Sequence, residues 1–129
     1  MKIEKFEDLE IWQEARELCK FVFTVTSSGQ LHKDFRFRDQ IRASAGSIMD
    51  NIAEGFERGG NKEFVQFLFI AKGSCGEVRS QSYRGCDFTY FSPETLEEIL
   101  ERTDKISGKI SRLIQHIKTS SLKGIKYPQ

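Results

Sequence analysis

Residue types that organise many small proteins are scarce in this chain. Its 129 residues include three cysteines, two histidines and two prolines. The cysteines, Cys19, Cys75 and Cys86, are odd in number and lack CxxC spacing, which argues against a disulfide framework and a structural zinc site. They lie within helical patterns, where cysteine usually behaves as a small buried apolar residue. We therefore expect free thiols in a reducing compartment, with no bound metal or cofactor.

Long apolar runs are also missing. No segment approaches the ~20 apolar residues that cross a bilayer. The first residues alternate charged and apolar side chains and have no apolar core of a signal peptide. We expect no membrane partner and a cytoplasmic location. The net charge of +1 provides no overall attraction for nucleic acid.

Motifs for catalysis are absent as well. His32 and His116 stand outside HExxH and Glu-x-x-His patterns, so the ligands of di-iron helix bundles are lacking. The sequence has neither a phosphate-binding glycine loop nor a Gly-x-Ser-x-Gly elbow. We find no pairing of a nucleophile with a base, and we expect a protein that is not an enzyme.

Helical periodicity dominates what is present. After Ser92-Pro93-Glu94, a typical helix start, apolar positions recur with 3-4 spacing at Leu96, Ile99, Thr103, Ile106, Ile110, Leu113 and Ile117. Further helical patterns cover about residues 8–26, 35–58 and 61–87, and the last helix covers about 93–119. Short connections predict one all-α domain over residues 1–129, an up-down antiparallel four-helix bundle with a basic tail at 120–129.

Two segments go beyond an ordinary amphipathic pattern. Residues 64–71 are apolar almost all round the helix, which predicts that Val65 and Phe69 meet another subunit, unless a loop or tail covers them. Small residues at 43–47 face a glycine-containing stretch at 73–76 in the following helix. Because glycine in a helix costs about 1 kcal/mol relative to alanine, this pattern predicts a close approach of the two backbones.

Polar residues on the second and third helices form one candidate site. Ser47, Asn51 and Glu54 share a helix face beside an apolar stripe. A carboxylate held there needs partners, which Arg42 and the hydroxyl of Ser74 could supply. The set therefore predicts either a buried polar network that sets helix register or a binding or acid–base site, and the structural interpretation is preferred. Its members are Arg42, Ser47, Asn51, Glu54, Ser74 and Glu77.

Basic residues on the last helix form another candidate site. Four of them step along one side of the helix and three more follow, at Lys105, Lys109, Arg112, His116, Lys118, Lys123 and Lys126. Repeated around an oligomer, this stripe would bind the phosphates of RNA or DNA without reading bases. The alternative is that the cations only offset the helix dipole and aid solubility.

Several motifs resemble those of the four-helix-bundle family known as the 23S rRNA intervening-sequence proteins. They begin near Phe6-x-x-Leu9-x-Ile11-Trp12-Gln13-x-Ala15 and Asp39-Gln40-Ile41-Arg42. The most specific are Asn51-Ile52-Ala53-Glu54-Gly55, then Arg58, Lys62-Glu63-Phe64, Phe67-Leu68, Ala71 and Gly73-Ser74-x-x-Glu77. The resemblance spans about residues 6 to 118.

The resemblance implies a cyclic homo-oligomer. The family is similar in fold to the accessory variability determinant of diversity-generating retroelements, a basic pentamer that binds nucleic acid and a reverse transcriptase. This implies a homopentamer for the present chain and supplies no established activity. One hypothesis is a non-enzymatic scaffold that binds RNA or DNA non-specifically. The other is an adaptor that docks a protein partner, such as a reverse transcriptase or an RNA-processing enzyme, without touching nucleic acid.

Overall fold

Helices account for nearly all of the regular structure. The computed structural model describes residues 3–121, and this part of the chain contains five α-helices and no strand. A 3-10 turn at Phe6–Asp8 precedes helices at Glu10–Val25 (α1), Gly29–Lys33 (α2), Phe35–Glu57 (α3), Asn61–Asp87 (α4) and Pro93–Ser121 (α5). The all-α prediction is confirmed. None of these helices has the length and apolar character needed to cross a bilayer.

The four long helices pack as a bundle with antiparallel neighbours. Helix α1 packs against α3 and α5, and α4 packs against the same two helices. Along α3 and α4, Gln40 lies beside Arg84 whereas Ser47 lies beside Ser74, so the two helices run in opposite directions. Along α4 and α5, Arg79 contacts Thr103 and Phe69 lies beneath Lys118, which gives the same reversal.

The core lies along the seam that periodicity predicts on α5. Of those positions, Leu96 is half-buried and the other six are buried, as are facing residues of the remaining long helices. Each fully buried large aliphatic side chain contributes about 1.5–3 kcal/mol relative to exposure. The buried hydroxyl of Thr103 donates to the carbonyl of Ile99 at 2.8 Å, which explains why a polar residue is tolerated in the seam.

Side chains cap two of the helix starts, and one of these caps also joins segments that are distant in sequence. The backbone N–H of Thr95 donates to Ser92 Oγ at 3.1 Å, as the sequence predicts for α5. At α3, Asp34 accepts from the N–H of Phe37 at 3.2 Å and from the Tyr90 hydroxyl at 2.7 Å. The connection between the first two predicted helical patterns contains the short helix α2, which those patterns do not include.

The two small-residue stretches at 43–47 and 73–76 do face each other, through Ser47 and Ser74, but the prediction that their glycines mark a close backbone contact is wrong. A Cβ atom at Gly46, Gly73 or Gly76 would find no neighbouring atom within 4 Å. The close approaches lie elsewhere. A Cβ at Gly55 would come within 2.5 Å of the Cβ of Phe67, and one at Gly85 within 2.6 Å of the ring of Phe91.

Candidate interaction surfaces

A small polar cluster joins α3 to α4. The hydroxyl oxygens of Ser47 and Ser74 lie 2.9 Å apart, and Asn51 Nδ2 donates to the carbonyl and hydroxyl oxygens of Ser47 at 2.8 and 2.9 Å. Ser74 Oγ donates to the carbonyl of Ile70 at 3.2 Å. Three of the six residues that the sequence predicts as a polar network are therefore in contact, and none of the three carries a group that could act as a general base.

The other three predicted members lie outside this cluster. Glu54 is exposed and forms an ion pair with Arg58 at 2.8 Å, because its position on α3 points to solvent and not to the seam with α4. Glu77 is likewise exposed. Arg42 turns toward the end of α1, where its Nε donates to Thr26 Oγ1 at 2.8 Å. The prediction that Arg42 and Ser74 hold a buried Glu54 carboxylate is wrong.

The basic stripe on α5 is partly neutralised by α1. Lys109 forms ion pairs with both Glu10 and Glu14, and Lys105 Nζ lies 3.8 Å from Glu14 Oε2. The Lys109 side chain is only 22% exposed. Two of the seven basic residues that the sequence predicts as phosphate-binding are thus already paired with carboxylates of the same chain.

These ion pairs shift the protonation equilibria of their members. The hydrogen bond from Lys109, together with its charge, lowers the pKa of Glu10. Hydrogen bonds to Glu10 and Glu14 raise the pKa of Lys109. Glu14 Oε1 is buried and has no hydrogen-bond partner among residues 3–121, so the two lysines are this carboxylate's main compensation.

The remaining basic residues of the stripe lie in different surroundings. Arg112 and His116 are exposed and border a groove of about 690 Å³ whose apolar wall includes Leu9 and Leu113. Lys118 lies with its ammonium 5.2 Å from the ring centre of Phe69. Two further predicted members, Lys123 and Lys126, lie outside the described residues.

The apolar stretch of α4 divides into a buried side and an exposed side. Phe64, Leu68 and Ala71 are buried, whereas Phe69 and Ile70 remain 50% and 52% exposed. Val65 is half-buried and, together with Phe69, lines a groove of about 530 Å³ between the start of α4 and the end of α5. The two residues predicted as an interface therefore share one groove, whose wall on α5 includes Ile117.

A further surface at the junction of α1 and α3 is not predicted from the sequence. Here the guanidinium of Arg42 lies 4.4 Å from the ring centre of Phe23, and that of Arg38 lies 4.8 Å from the ring centre of Phe35. We call these four residues the Phe–Arg row. The i, i+3 spacing of Phe35 and Arg38 is visible in the sequence. Phe23 and Arg42 lie on different helices, so their contact can be seen only in the folded structure.

No group of three or more His, Cys, Asp or Glu side chains suited to a metal ion occurs among residues 3–121. The three cysteines are unpaired. Burial raises the pKa of the Cys75 thiol to about 12 and that of Cys19 to about 11. Neither thiol is ionised near neutral pH, so neither is poised as a nucleophile.

Comparisons with known proteins agree with this fold. Residues 7–112 match the profile of the family described as 23S rRNA-intervening sequence protein. A solved structure from Bacteroides thetaiotaomicron, described as a protein with unknown function from the S23 ribosomal protein family, is similar with a TM-score of 0.74. It shares 22% identity, and the match covers 81% of this chain and 95% of that one. A search of curated proteins finds no match. Since the profile match covers most of the chain, this protein belongs to the 23S rRNA intervening-sequence protein family.

Proposed function

We propose that the protein is a non-enzymatic scaffold that works as a cyclic homo-oligomer and that a neighbouring subunit occupies the groove of Val65 and Phe69. The observation that carries this proposal is the half-exposed pair Phe69 and Ile70 beside that groove. Adjacent exposed apolar side chains of this size are typical of interaction sites. The resemblance to pentameric relatives makes five subunits the proposed number. The three free thiols suit the cytoplasm as its setting.

The subunit contact can be tested by measuring mass in solution. Light scattering coupled to size exclusion should give about five times the chain mass of 14.9 kDa. Phe69→Glu should yield a monomer with unchanged helical circular dichroism, because a charge in an apolar contact is costly to desolvate. Phe35→Glu is the matched control, since Phe35 is 61% exposed outside the groove and should leave the assembly intact. A monomeric parent protein at micromolar concentration would contradict the proposal.

Weak nucleic-acid binding through α5 is the second part of the proposal. Arg112 and His116 are exposed there, and cyclic repetition would place several copies of them in one assembly. The pairing of Lys105 and Lys109 with α1 lowers the expected affinity and makes contact with RNA or DNA weak, non-specific and strongly salt-dependent. Sequence preference is not expected, because phosphates carry no base information.

The same ion pairs favour the alternative function, an adaptor that docks a protein partner without binding nucleic acid. Anisotropy of a mixed pool of labelled RNA and DNA at increasing salt separates the two. Under the scaffold hypothesis, Arg112→Glu should weaken binding at low salt, whereas Lys72→Glu, which reverses an exposed cation on α4, should have a smaller effect. Absence of binding by the parent protein at low salt would support the adaptor.

A further inference from the structure

The two phenylalanines of the Phe–Arg row remain largely accessible although arginines cover part of them. Phe23 is 58% exposed and Phe35 is 61% exposed, the two highest values among the exposed large apolar side chains. Neither ring is a member of the buried core, so the fold gains little from either of them. An aromatic ring with an accessible face is a platform on which a second planar group can stack.

The two arginines of the row are held in place by the protein. Arg42 donates through Nε to Thr26 Oγ1 at 2.8 Å and through Nη2 to the carbonyl of Thr26 at 3.3 Å. Arg38 donates through Nε to Asp39 at 2.9 Å and through Nη1 to the carbonyl of His32 at 3.3 Å. The third nitrogen of each guanidinium takes part in none of these hydrogen bonds and can donate to a ligand. Fixed side chains lose little entropy when they bind a ligand, which favours binding.

Charge around the row favours an anionic ligand. Between residues 31 and 42 there are four cations, Lys33, Arg36, Arg38 and Arg42, against two carboxylates, Asp34 and Asp39, which leaves a net charge of +2. Both carboxylates already accept hydrogen bonds, Asp34 from Tyr90 and Asp39 from Arg38. The stripe on α5 is more fully compensated, because Lys109 pairs with two carboxylates there, whereas Arg38 in the row pairs with one, Asp39.

We propose that the Phe–Arg row binds single-stranded nucleic acid, with bases stacking on Phe23 and Phe35 and backbone phosphates meeting Arg38 and Arg42. Arg38 and Arg42 are one helical turn apart, about 6 Å along α3, so that they can contact one continuous strand. Aromatic platforms beside fixed cations are how proteins bind single strands without reading sequence. A paired duplex offers no free base faces along its length. The site lies on α1 and α3 and does not depend on the proposed oligomer.

The test is fluorescence anisotropy with a labelled oligo(dT) of about twelve nucleotides, within the usual site size of such proteins. We expect Phe23→Ala and Phe35→Ala each to weaken binding at least about fivefold, the lower limit for loss of one stacked base. An abasic strand of equal length keeps the phosphates and removes the bases. The parent protein should bind the abasic strand as weakly as the double variant Phe23→Ala/Phe35→Ala binds oligo(dT). The double variant should bind both strands with the same affinity.

Tyr83→Ala is the matched control, because Tyr83 is also a half-exposed ring and lies on α4, outside both the Phe–Arg row and the proposed subunit groove. This variant should leave the affinity for oligo(dT) unchanged. Arg112→Glu should change only the part of that affinity that depends on salt. Equal binding of the abasic strand and oligo(dT), full affinity in the Phe23→Ala/Phe35→Ala variant, or no binding at low salt would each overturn the proposal. None of these results bears on the mass of the assembly, which tests the scaffold separately.

Discussion

The hydroxyls of Ser47 on α3 and Ser74 on α4 share a hydrogen bond across 2.9 Å. With Ser47 as the donor, the single proton of Ser74 is left for the carbonyl of Ile70 at 3.2 Å, so that both hydroxyls are satisfied. Asn51 completes the relay by donating to Ser47. The relay ends on a backbone carbonyl and contains no titratable group. Its physical role is to satisfy polar atoms at the α3–α4 seam and so to favour one alignment of the two helices.

Ser74→Ala should destabilise the protein by about 1 kcal/mol, because it removes one bond to Ser47 and leaves that hydroxyl short of an acceptor. The expected change in melting temperature is about 3–5 °C for a chain of this size. Ser80→Ala, at an exposed position on the same helix, controls for helix propensity and should change stability little. Urea unfolding of both variants gives the comparison. Equal stabilities would mean that the cluster contributes nothing.

Glu54→Ala should change the free energy of unfolding by less than about 0.5 kcal/mol, the scale of an exposed ion pair within a helix. Both side chains of its pair with Arg58 are more than half exposed. A buried carboxylate, as the sequence suggests, would give a loss of about 1–3 kcal/mol. Chemical denaturation at neutral pH distinguishes the two. A large loss would indicate that Glu54 has buried partners.

The all-helical fold was predictable because the apolar spacing on α5 depends only on local geometry. The 3-4 repeat places its residues on one side of the helix, and burial of that side is the main stabilising term. Asp34 was harder to identify, because its role depends on Tyr90, which is 56 residues away in sequence. Helical spacing also does not predict which way a polar side chain at the edge of a helix face points. The spacing of Glu54 and Ser47 places them on one face of α3, yet only Ser47 contacts α4.

The basic stripe on α5 and the Phe–Arg row show the same limit of sequence-based prediction. The pattern on α5 identifies its cations but not the carboxylates of α1 that approach Lys109. Likewise, Phe23 looks like a core residue of α1 because it follows Cys19 by one turn. In the structure its ring is exposed beside Arg42 from α3. Partners on different helices are set by the packing, which the sequence of one helix does not contain.

Gly55→Ala should be destabilising by about 1–3 kcal/mol, because the new methyl group would lie 2.5 Å from the Cβ of Phe67, and that atom moves only with the backbone of α4. Gly73→Ala should have the opposite effect and stabilise by up to about 1 kcal/mol, since its Cβ would occupy open space in the middle of a helix. Thermal unfolding measures both. If Gly55→Ala proved as stable as the parent, α3 and α4 would be farther apart than described.

Alkylation by iodoacetamide at pH 8 should be slowest at Cys75, which is 1% exposed and has a pKa raised by burial to about 12. Cys19, with a pKa of about 11, should also react slowly, because the thiolate is the reactive form. Cys86, in the last turn of α4, should be modified first. Mass spectrometry of peptides over time gives the order. In urea the three rates should converge, and rapid labelling of Cys75 in the folded protein would contradict its burial.

Lys109→Met should destabilise the protein by about 1 kcal/mol at pH 7, because it leaves Glu14, whose Oε1 is buried, with only the more distant Lys105 as compensation. The pair also predicts a pH dependence. The pKa of Glu10 is lowered by Lys109, so its contribution is present above the ordinary glutamate value of about 4.3 and is lost as pH falls through the lowered pKa. The difference in stability between parent and variant should therefore shrink from pH 7 to pH 3.5.

The control is Lys20→Met, which removes an exposed pair with Glu17 and should show a smaller difference in stability at pH 7. Urea midpoints at both pH values decide the matter, and a difference that stays constant would mean that Lys109 acts only through the packing of its aliphatic chain.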